Sequence, residues 1–400
     1  MRRNAGLLLA ARVVSAGTTL VVLAFVAQLR GADALGAVGI GFAIGGIGAA
    51  FSDLGTSSLL VREAARRPAE SGLMLGGGLA VRAVTLPLAL LGAWLVGVAV
   101  APGSVGVVVL AAAGLMLQQT AELTRSVFAA QQRMTISSSH SMVENLVWLG
   151  VVWTGLAAGI PLGVVFAWGL AVFVGSVAVG LVLDATLAKA TPRMPDRIAL
   201  ASLLRLAAPF AGFAIVGIAY ARIDPLLIGV LVTGPALATA GSFFAATRLI
   251  AAFEYLPDAV SRAIYPELSR RVAAGGDRVV SLLGGASGIV LAASGIVPAI
   301  LVPGGAWLMG TLFGEQAARD GWLLGALAVA VPLRSLGYIF GVTLTSADAQ
   351  TRRLLAASGA LVLVVAIDVI GIPLVGLLAP VLAIYVATIV VGSMYGTFVR

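Results

Sequence analysis

Long apolar stretches recur along the whole chain, and the short segments between them hold most of the charged residues. A stretch of about 20 apolar residues is long enough to span the hydrocarbon core of a membrane as an α-helix. The pattern therefore predicts an all-α integral membrane protein with twelve transmembrane helices. The predicted spans are 5–29, 34–60, 72–100, 104–130, 136–158, 161–183, 201–232, 236–264, 279–302, 321–345, 353–371 and 373–399.

Two of the segments between spans are longer than the rest. The central one, about 184–200, contains two prolines and divides the chain into two predicted domains of six spans, 1–190 and 191–400. The other, 303–320, is expected to form a short interfacial helix or a re-entrant loop. Small residues four apart predict sites of close helix packing. These pairs are Gly41 with Gly45, Gly72 with Gly76, Gly284 with Gly288, and Gly337 with Gly341.

Basic residues fall on alternate connections between the predicted spans. One set carries Arg2, Arg3, Arg62, Arg66, Arg67, Arg133, Lys189, Arg193, Arg197, Arg270, Arg271, Arg278, Arg352, Arg353 and Arg400, and the other carries only Arg30 and Arg319. Because basic connections stay in the cytoplasm, both termini are expected there, which requires an even number of spans.

Arginine almost replaces lysine, and Ala, Gly and Val are abundant, as is typical of a GC-rich bacterial genome. We therefore expect a multi-pass protein of the bacterial plasma (inner) membrane.

Composition supports this class and excludes others. Hydrophobic residues make up 60% of the chain, and charged residues make up 10%, against about 25% in soluble proteins. With no cysteine and one histidine, His140, the chain offers no thiol nucleophile or Cys-ligated metal site. We expect no cofactor. The basic residues lie at the ends of spans and form no long tail, so the high pI does not indicate a nucleic-acid partner.

Three arginines, Arg82, Arg248 and Arg334, lie near the middle of predicted spans. An arginine at the bilayer centre costs on the order of 2.5–3.5 kcal/mol, so such residues normally line a wet or protein-lined interior. One interpretation is a cationic cavity for an anion, because the planar guanidinium binds two phosphate oxygens at once. The alternative is a set of salt bridges between helices. The candidate partners are Glu144, Glu254 and Asp368.

Other intramembrane polar residues extend both interpretations. Glu122 and Arg125, three apart on one helix, are expected to pair, whereas Arg222 and Asp224, two apart, should each meet another helix. The candidates for substrate binding are Arg12, Arg82, Arg222, Arg248 and Arg334. The candidates for coupling or gating are Asp53, Glu144, Asp224, Glu254 and Asp368. Side chains that could contact sugars, with helix packing as the alternative, are Gln118, Gln119, His140, Asn145 and the six tryptophans.

Three stretches, 30–67, 203–231 and 240–271, carry recognisable landmarks. They are Asp53-Leu54-Gly55 followed by Arg62, then Pro209, Arg222-Ile223-Asp224, Gly241, Arg248, Pro257 and Pro266. In these the chain resembles the polysaccharide (O-antigen-type) flippases of the multidrug/oligosaccharidyl-lipid/polysaccharide exporter superfamily. Phe243 stands where this family often has tyrosine. The absence of a thirteenth and fourteenth predicted span argues against the fourteen-helix peptidoglycan-precursor flippases.

The resemblance implies two six-helix bundles around a central cavity. It implies a transporter, not an enzyme, that flips a polyprenyl-pyrophosphate-linked oligosaccharide from the inner to the outer leaflet by alternating access, for surface polysaccharide biosynthesis. The family's cationic cavity residues match Arg222 and Arg248 best, then Arg12 and Arg82. The expected partners are the lipid-linked oligosaccharide with its anionic pyrophosphate, membrane lipids and polysaccharide-assembly proteins, and the protein is expected to be a monomer.

Two alternatives remain open from the sequence. A drug or cation antiporter of the same superfamily would need an acidic cavity, for which Glu144, Glu254 and Asp368 are candidates. An integral-membrane glycosyltransferase or polymerase would need catalytic residues on an outer loop. Only segment 303–320, with Glu315 and Asp320, is long enough for that.

Overall fold

The computed structural model describes residues 2–232, 234–273, 278–347 and 349–399, and Arg400, one of the basic residues used for topology, lies outside them. Over these residues the chain is helical throughout, apart from short connections. The helices are α1 (Arg2–Arg30), α2 (Ala32–Asp53), α3 (Thr56–Arg66), α4 (Ser71–Val100), α5 (Val105–Ala130), α6 (Met134–Ala157), α7 (Leu162–Thr186), α8 (Arg197–Leu231), α9 (Ala236–Phe253), α10 (Tyr255–Ala273), α11 (Arg278–Phe313), α12 (Glu315–Arg319), α13 (Trp322–Ser346), α14 (Gln350–Val375) and α15 (Leu378–Val399).

The helices confirm the predicted all-α membrane fold. Among the described residues, eleven helical stretches are long and apolar enough to cross a membrane. The remaining predicted span, the fifth (136–158), corresponds to α6, which has 24 residues and so has the length for a crossing. Polar residues in its first half, including His140, Glu144 and Asn145, lower its hydropathy.

Two predicted spans are divided in the structure. The second ends at Asp53, because Leu54 and Gly55 take left-handed backbone angles, with φ of 43° and 77°. A glycine tolerates this conformation without steric cost, and the amphipathic α3 follows. The eighth is divided at Glu254, between α9 and α10. Pro257 explains that break, since a proline lacks an N–H and its ring clashes with the carbonyl four residues earlier.

The predicted loop or interfacial helix at 303–320 is wrong over most of its length. Helix α11 has 36 residues and continues through Pro298 and Pro303 as far as Phe313, leaving only the five residues of α12. A proline can kink a helix, but a non-helical backbone at membrane depth would leave several polar groups unsatisfied. The helix therefore persists past both prolines.

The chain divides into two compact units, Met1–Arg222 and Ile223–Arg400, with the division inside α8. In the first unit α5 is the central helix, packing against α2, α3, α4, α6 and α7. In the second unit α13 has this position and packs against α9, α10, α11, α14 and α15. The central helices carry Arg125 and Arg334, respectively. Each unit therefore has a charged residue on the helix that its neighbours surround.

The glycine pairs differ from one another. A Cβ on Gly41 or Gly45 would lie 2.7 or 2.8 Å from atoms of α5, so the predicted close packing of α2 on α5 is confirmed. The pair Gly284 and Gly288 has nothing within 4 Å, and that packing prediction is wrong. Gly337 is equally open. In a chain with 50 glycines, spacing alone does not identify a contact.

The pair Gly72 and Gly76 packs against the central linker and not against a helix. The linker passes over the start of α4, where the Arg193 N–H donates to the Gly72 carbonyl at 2.9 Å. A Cβ on Gly76 would collide with the Arg193 carbonyl. The glycines thus allow the linker backbone to lie directly on α4.

This packing predicts opposite effects for two substitutions in α4. Gly76→Ala should lower the unfolding temperature of the detergent-solubilised protein and speed tryptic cleavage of the linker, because overpacking costs about 1–3 kcal/mol. Gly92→Ala, where a Cβ meets nothing within 4 Å, should leave cleavage unchanged and stabilise the helix by up to about 1 kcal/mol. Identical behaviour of the two variants would contradict the close linker packing.

Candidate functional site

Arg82 of α4 is held by the break between α2 and α3. Its guanidinium forms an ion pair with Asp53, donates to Thr56 Oγ1 at 2.9 Å and donates to Ser57 Oγ at 3.0 Å. The same Asp53 carboxylate accepts from the Ser57 backbone N–H at 3.1 Å and so caps the start of α3. A fourth bond runs to the Gly78 carbonyl.

Arg82 is therefore a buried arginine, 4% exposed, whose two terminal nitrogens make four hydrogen bonds. Its partner is Asp53, which is 29 residues earlier in the chain, and not one of the three acidic residues considered from the sequence. The geometry makes Arg82 and Asp53 a connection between α2, α3 and α4. Their expected roles in substrate binding and gating stay predictions.

A second buried ion cluster surrounds Arg125 of α5. Arg125 pairs with Glu122 at 2.8 Å, as the three-residue spacing predicts, and with Glu144 of α6 at 2.8 Å. Glu144 also accepts a hydrogen bond from Ser176 of α7, whose hydroxyl lies 2.9 Å from His140 Nε2. Glu144 thus joins α5, α6 and α7, and its second oxygen, Oε1, has no hydrogen-bond partner.

Next to this cluster lies a cavity of about 250 Å³ within the first unit. Arg12, a predicted binding residue, lines it together with Gln118 and Gln119, two of the predicted sugar contacts. Asn145 instead lines a smaller cavity of about 30 Å³ deeper in the unit. The cavity is lined by Ala11, Arg12, Ser15, Gln118, Gln119, Glu122, Arg125, Ser137, Ser138 and Ser141.

In the second unit Arg334 of α13 meets Glu254, at the break between α9 and α10. The closest nitrogen and oxygen are 2.9 Å apart, and the Tyr338 hydroxyl donates to the other carboxylate oxygen at 3.2 Å. The Arg334–Glu254 contact is an ion pair without good hydrogen-bond alignment, since Glu254 Oε1 has no hydrogen-bond partner. The salt bridge considered as an alternative for Arg334 is thus present.

Two acidic residues of the second unit are buried close to one another. Asp224 of α8 and Asp368 of α14 are 5% and 0% exposed, and Asp224 interacts electrostatically with both Asp368 and Arg334. The two carboxylates lie within hydrogen-bonding reach of each other, and no other group donates to either oxygen of Asp368 or to Asp224 Oδ1. Burying two ionised carboxylates together is costly unless a proton or a cation neutralises them, and the cation that acts on Asp224 is Arg334.

Arg248 of α9 differs from the other mid-span arginines. It is half-buried, and its guanidinium carbon lies 4.7 Å from the centroid of the Phe244 ring. Among the described residues, no carboxylate forms an ion pair with it. A cation over an aromatic face gains about 0.5–2 kcal/mol, less than the cost of losing its hydration. Arg248 therefore keeps donors available for an anion.

Arg222 is held through the backbone of another helix. Its guanidinium donates to the Phe42 carbonyl of α2 at 2.8 Å, and a Cβ on Gly46 would lie 2.5 Å from its Nε. The glycine on α2 leaves room for the arginine stem. Both Arg222 and Asp224 meet other helices, as their spacing predicts.

Sequence reasoning missed two features of the site. Ser138 is 2% exposed, lines the larger cavity and leaves its hydroxyl without a partner. Asp184, at the end of α7, is fully buried with both oxygens unpartnered. The sequence places Asp184 at the membrane edge, where exposure would be expected, so no signal marks its burial.

Within the described residues no group of three or more His, Asp or Glu side chains could hold a metal ion.

Among the described residues, twelve helical stretches have the length of a membrane crossing, so the chain is a multi-pass α-helical membrane protein. The family model described as polysaccharide biosynthesis protein matches residues 1–272. The chain belongs to this family, which confirms the family inferred from the sequence landmarks. No curated protein sequence matches the chain significantly.

Solved structures show that the fold is that of the exporter superfamily. The lipid II flippase MurJ in an inward closed conformation has a TM-score of 0.77 at 12% identity, covering 100% of this chain and 87% of its own. An inward-facing multidrug resistance MATE transporter scores 0.66 at 16% identity, with 96% and 94% covered. A superfamily transporter from Pyrococcus furiosus scores 0.62 at 14% identity, with 97% and 93% covered.

The Asp53–Arg82 pair predicts a structural effect for substitutions there. Arg82→Ala should lower membrane abundance and the unfolding temperature, because removing one partner of a buried ion pair costs about 3–5 kcal/mol. The double variant Asp53→Asn with Arg82→Gln should recover part of this loss, since no unpaired charge is left. Wild-type stability of Arg82→Ala in thermal unfolding assays would show that Arg82 does not hold these helices together.

Proposed function

We propose that this protein is a flippase of the bacterial plasma membrane. In this proposal it moves a polyprenyl-pyrophosphate-linked oligosaccharide from the inner to the outer leaflet by alternating access, with both termini in the cytoplasm. The family match to polysaccharide biosynthesis proteins supports the pathway. The observation that carries the choice of substrate is Arg248, a mid-span guanidinium with no carboxylate partner among the described residues.

The chemistry of Arg248 suits a pyrophosphate. A guanidinium stays charged at any physiological pH and presents a planar set of donors that matches two phosphate oxygens. Phe244 covers one face of the planar guanidinium group. This contact fixes the orientation of the group and leaves the N–H donors at its edge available for a ligand. Of the other mid-span arginines, Arg82 and Arg334 already have acidic partners.

The pairing of buried acidic residues with arginines weakens the antiporter alternative, and the helical structure of segment 303–320 weakens the glycosyltransferase alternative. Glu144 and Glu254, two of the acidic residues considered for a cation antiporter, are neutralised by Arg125 and Arg334. The glycosyltransferase alternative depended on a long outer loop at 303–320, most of which belongs to α11. A flippase remains the function that the geometry supports best.

We further propose that Asp224 and Asp368 couple transport to an ion gradient. The charged groups that face Asp224 are Asp368 and Arg334, and Arg334 is already paired with Glu254. A proton or other monovalent cation bound between the two carboxylates would remove the cost of burying them. Loss of that cation would leave two buried negative charges and favour a different conformation.

Substitution of Arg248 tests the anion site. Arg248→Ala should reduce surface glycan at least about tenfold, because a charge-assisted hydrogen bond contributes about 1.5–3 kcal/mol, while protein abundance in the membrane stays normal. Arg248→Lys should retain part of the activity, since the charge remains but the two-oxygen geometry is lost. The matched control is Arg66→Ala, an exposed arginine of α3.

Glycan staining and membrane immunoblotting on the same cells separate transport from folding. Unchanged glycan in Arg248→Ala would overturn the assignment of Arg248 to the anion site. Loss of the protein itself would be the result expected of Arg82→Ala, and in Arg248→Ala it would indicate a structural role.

Substitution of Asp368 tests the coupling pair. Asp368→Asn mimics a protonated carboxyl, so the variant should fold, transport several-fold more slowly and lose its response to an imposed proton or sodium gradient in proteoliposomes. Asp320→Asn, between α12 and α13, should behave like the wild type and also tests the enzyme alternative. A variant at position 368 that still responds fully to both gradients would contradict the coupling role.

A further inference from the structure

The cavity beside Arg125 is built from one end of three helices of the first unit. Helix α1 contributes Arg12 and Ser15, and α5 contributes the two glutamines. Helix α6 contributes three serines within its first eight residues. Its volume of about 250 Å³ is slightly below the range of about 300–1,000 Å³ typical of small-molecule sites. The space suits one ring-sized polar group.

The lining offers hydroxyl and amide groups in place of apolar surface. Four serines and two glutamines supply donors and acceptors on every helix of the cavity. Ser138 is the sharpest observation, because its hydroxyl is buried and has no partner. An unpartnered buried hydroxyl costs about 1–3 kcal/mol, which a hydrogen bond from a ligand would offset.

The lining holds two arginines, Arg12 and Arg125, and the two carboxylates paired with Arg125 balance these positive charges, which favours an uncharged ligand. Arg125 is neutralised by two carboxylates at 2.8 Å, one of which belongs to Glu122 in the cavity wall. A phosphate placed here would face the Glu122 carboxylate, whose side chain is about half exposed. Carboxylates accept hydrogen bonds from hydroxyl groups, so the same feature that repels an anion suits a sugar.

A second, smaller cavity shares one lining residue with this one. Gln118 lines both, and the inner cavity is bounded by Trp148 with Phe166 and Phe173, whose ring centroids lie 5.3 and 5.5 Å from that of Trp148. Sugar rings combine hydroxyl edges with apolar faces, and aromatic side chains present a matching apolar surface. A small aromatic-lined cavity therefore adjoins the polar one at Gln118.

We propose that the polar cavity is a subsite for one uncharged sugar residue of the lipid-linked glycan. This proposal rests on the flippase function, and it adds that the first unit binds sugar at a place separate from the pyrophosphate contact of Arg248. The roles of the lining differ. Ser138 donates to the sugar, the glutamine amides bond to neighbouring hydroxyls, and Glu122 accepts from a hydroxyl.

The chain has no cysteine, so a single introduced thiol reports on the cavity directly. We would label Ser141→Cys, at the cavity wall, with a maleimide in detergent. Thr186→Cys, an exposed position on α7 outside the cavity, is the matched control. The probes are the lipid-linked glycan extracted from cells that lack the protein, and a synthetic polyprenyl pyrophosphate that carries no sugar.

The proposal expects the extracted lipid-linked glycan to slow labelling of Ser141→Cys at least about threefold and the bare lipid to leave it unchanged. Neither probe should affect Thr186→Cys. Equal protection by both lipids would mean that the cavity holds phosphate and would overturn the sugar assignment. No protection by a glycan-bearing lipid that still raises the unfolding temperature would overturn the subsite and leave the flippase function standing. No thermal shift with that lipid would overturn the flippase function as well.

A second variant measures the contribution of the buried hydroxyl. Ser138→Ala removes it with little change in volume, and loss of one hydrogen bond should weaken binding of the glycan-bearing lipid roughly 3- to 10-fold. Binding of the bare lipid should not change. Equal weakening for both lipids, or no effect on either, would contradict a sugar contact at Ser138.

Discussion

The membrane offers no partner for a charge or a polar group, and this constraint organises the structure. Each unit meets it with ion pairs that join neighbouring helices: Asp53 with Arg82 and Glu144 with Arg125 in the first, Glu254 with Arg334 in the second. Because breaking a buried pair leaves an uncompensated charge, these contacts fix how the helices pack more strongly than apolar contacts between lipid-like side chains could.

The exceptions to this pairing are the places where we propose that ligands bind. Arg248 meets an aromatic ring, Asp224 and Asp368 meet each other, and Ser138 leaves a hydroxyl unused. A substrate with a pyrophosphate, a sugar and a lipid tail, moved at the expense of an ion gradient, would complete all three. The proposed ligand supplies an anion for Arg248, a cation for the two aspartates and a hydrogen bond for Ser138.

The sequence predicts most of the fold and only part of the site. Apolar runs gave the spans, because the membrane dictates their length, and local spacing gave the Glu122–Arg125 pair. Local sequence spacing could not identify Asp53 as the partner of Arg82, because the two residues are 29 positions apart. Their contact depends on the turn at Leu54 and Gly55. Nor could it show that α11 continues through Pro303, because the cost of unsatisfied backbone in a membrane outweighs the helix-breaking tendency of proline.

The central claim is that this protein moves a pyrophosphate-linked glycan lipid across a bilayer. The most direct measurement reconstitutes the purified protein in vesicles that carry a fluorescent polyprenyl-pyrophosphate glycan and follows how fast a membrane-impermeant quencher reaches the inner-leaflet pool. If the protein is a flippase, the quencher should reach the inner-leaflet pool rapidly and only when the protein is present. It should not reach a polyprenol that lacks the pyrophosphate and the sugar. Vesicles in which the protein leaves the glycan lipid in its original leaflet, or moves both lipids equally, would contradict it.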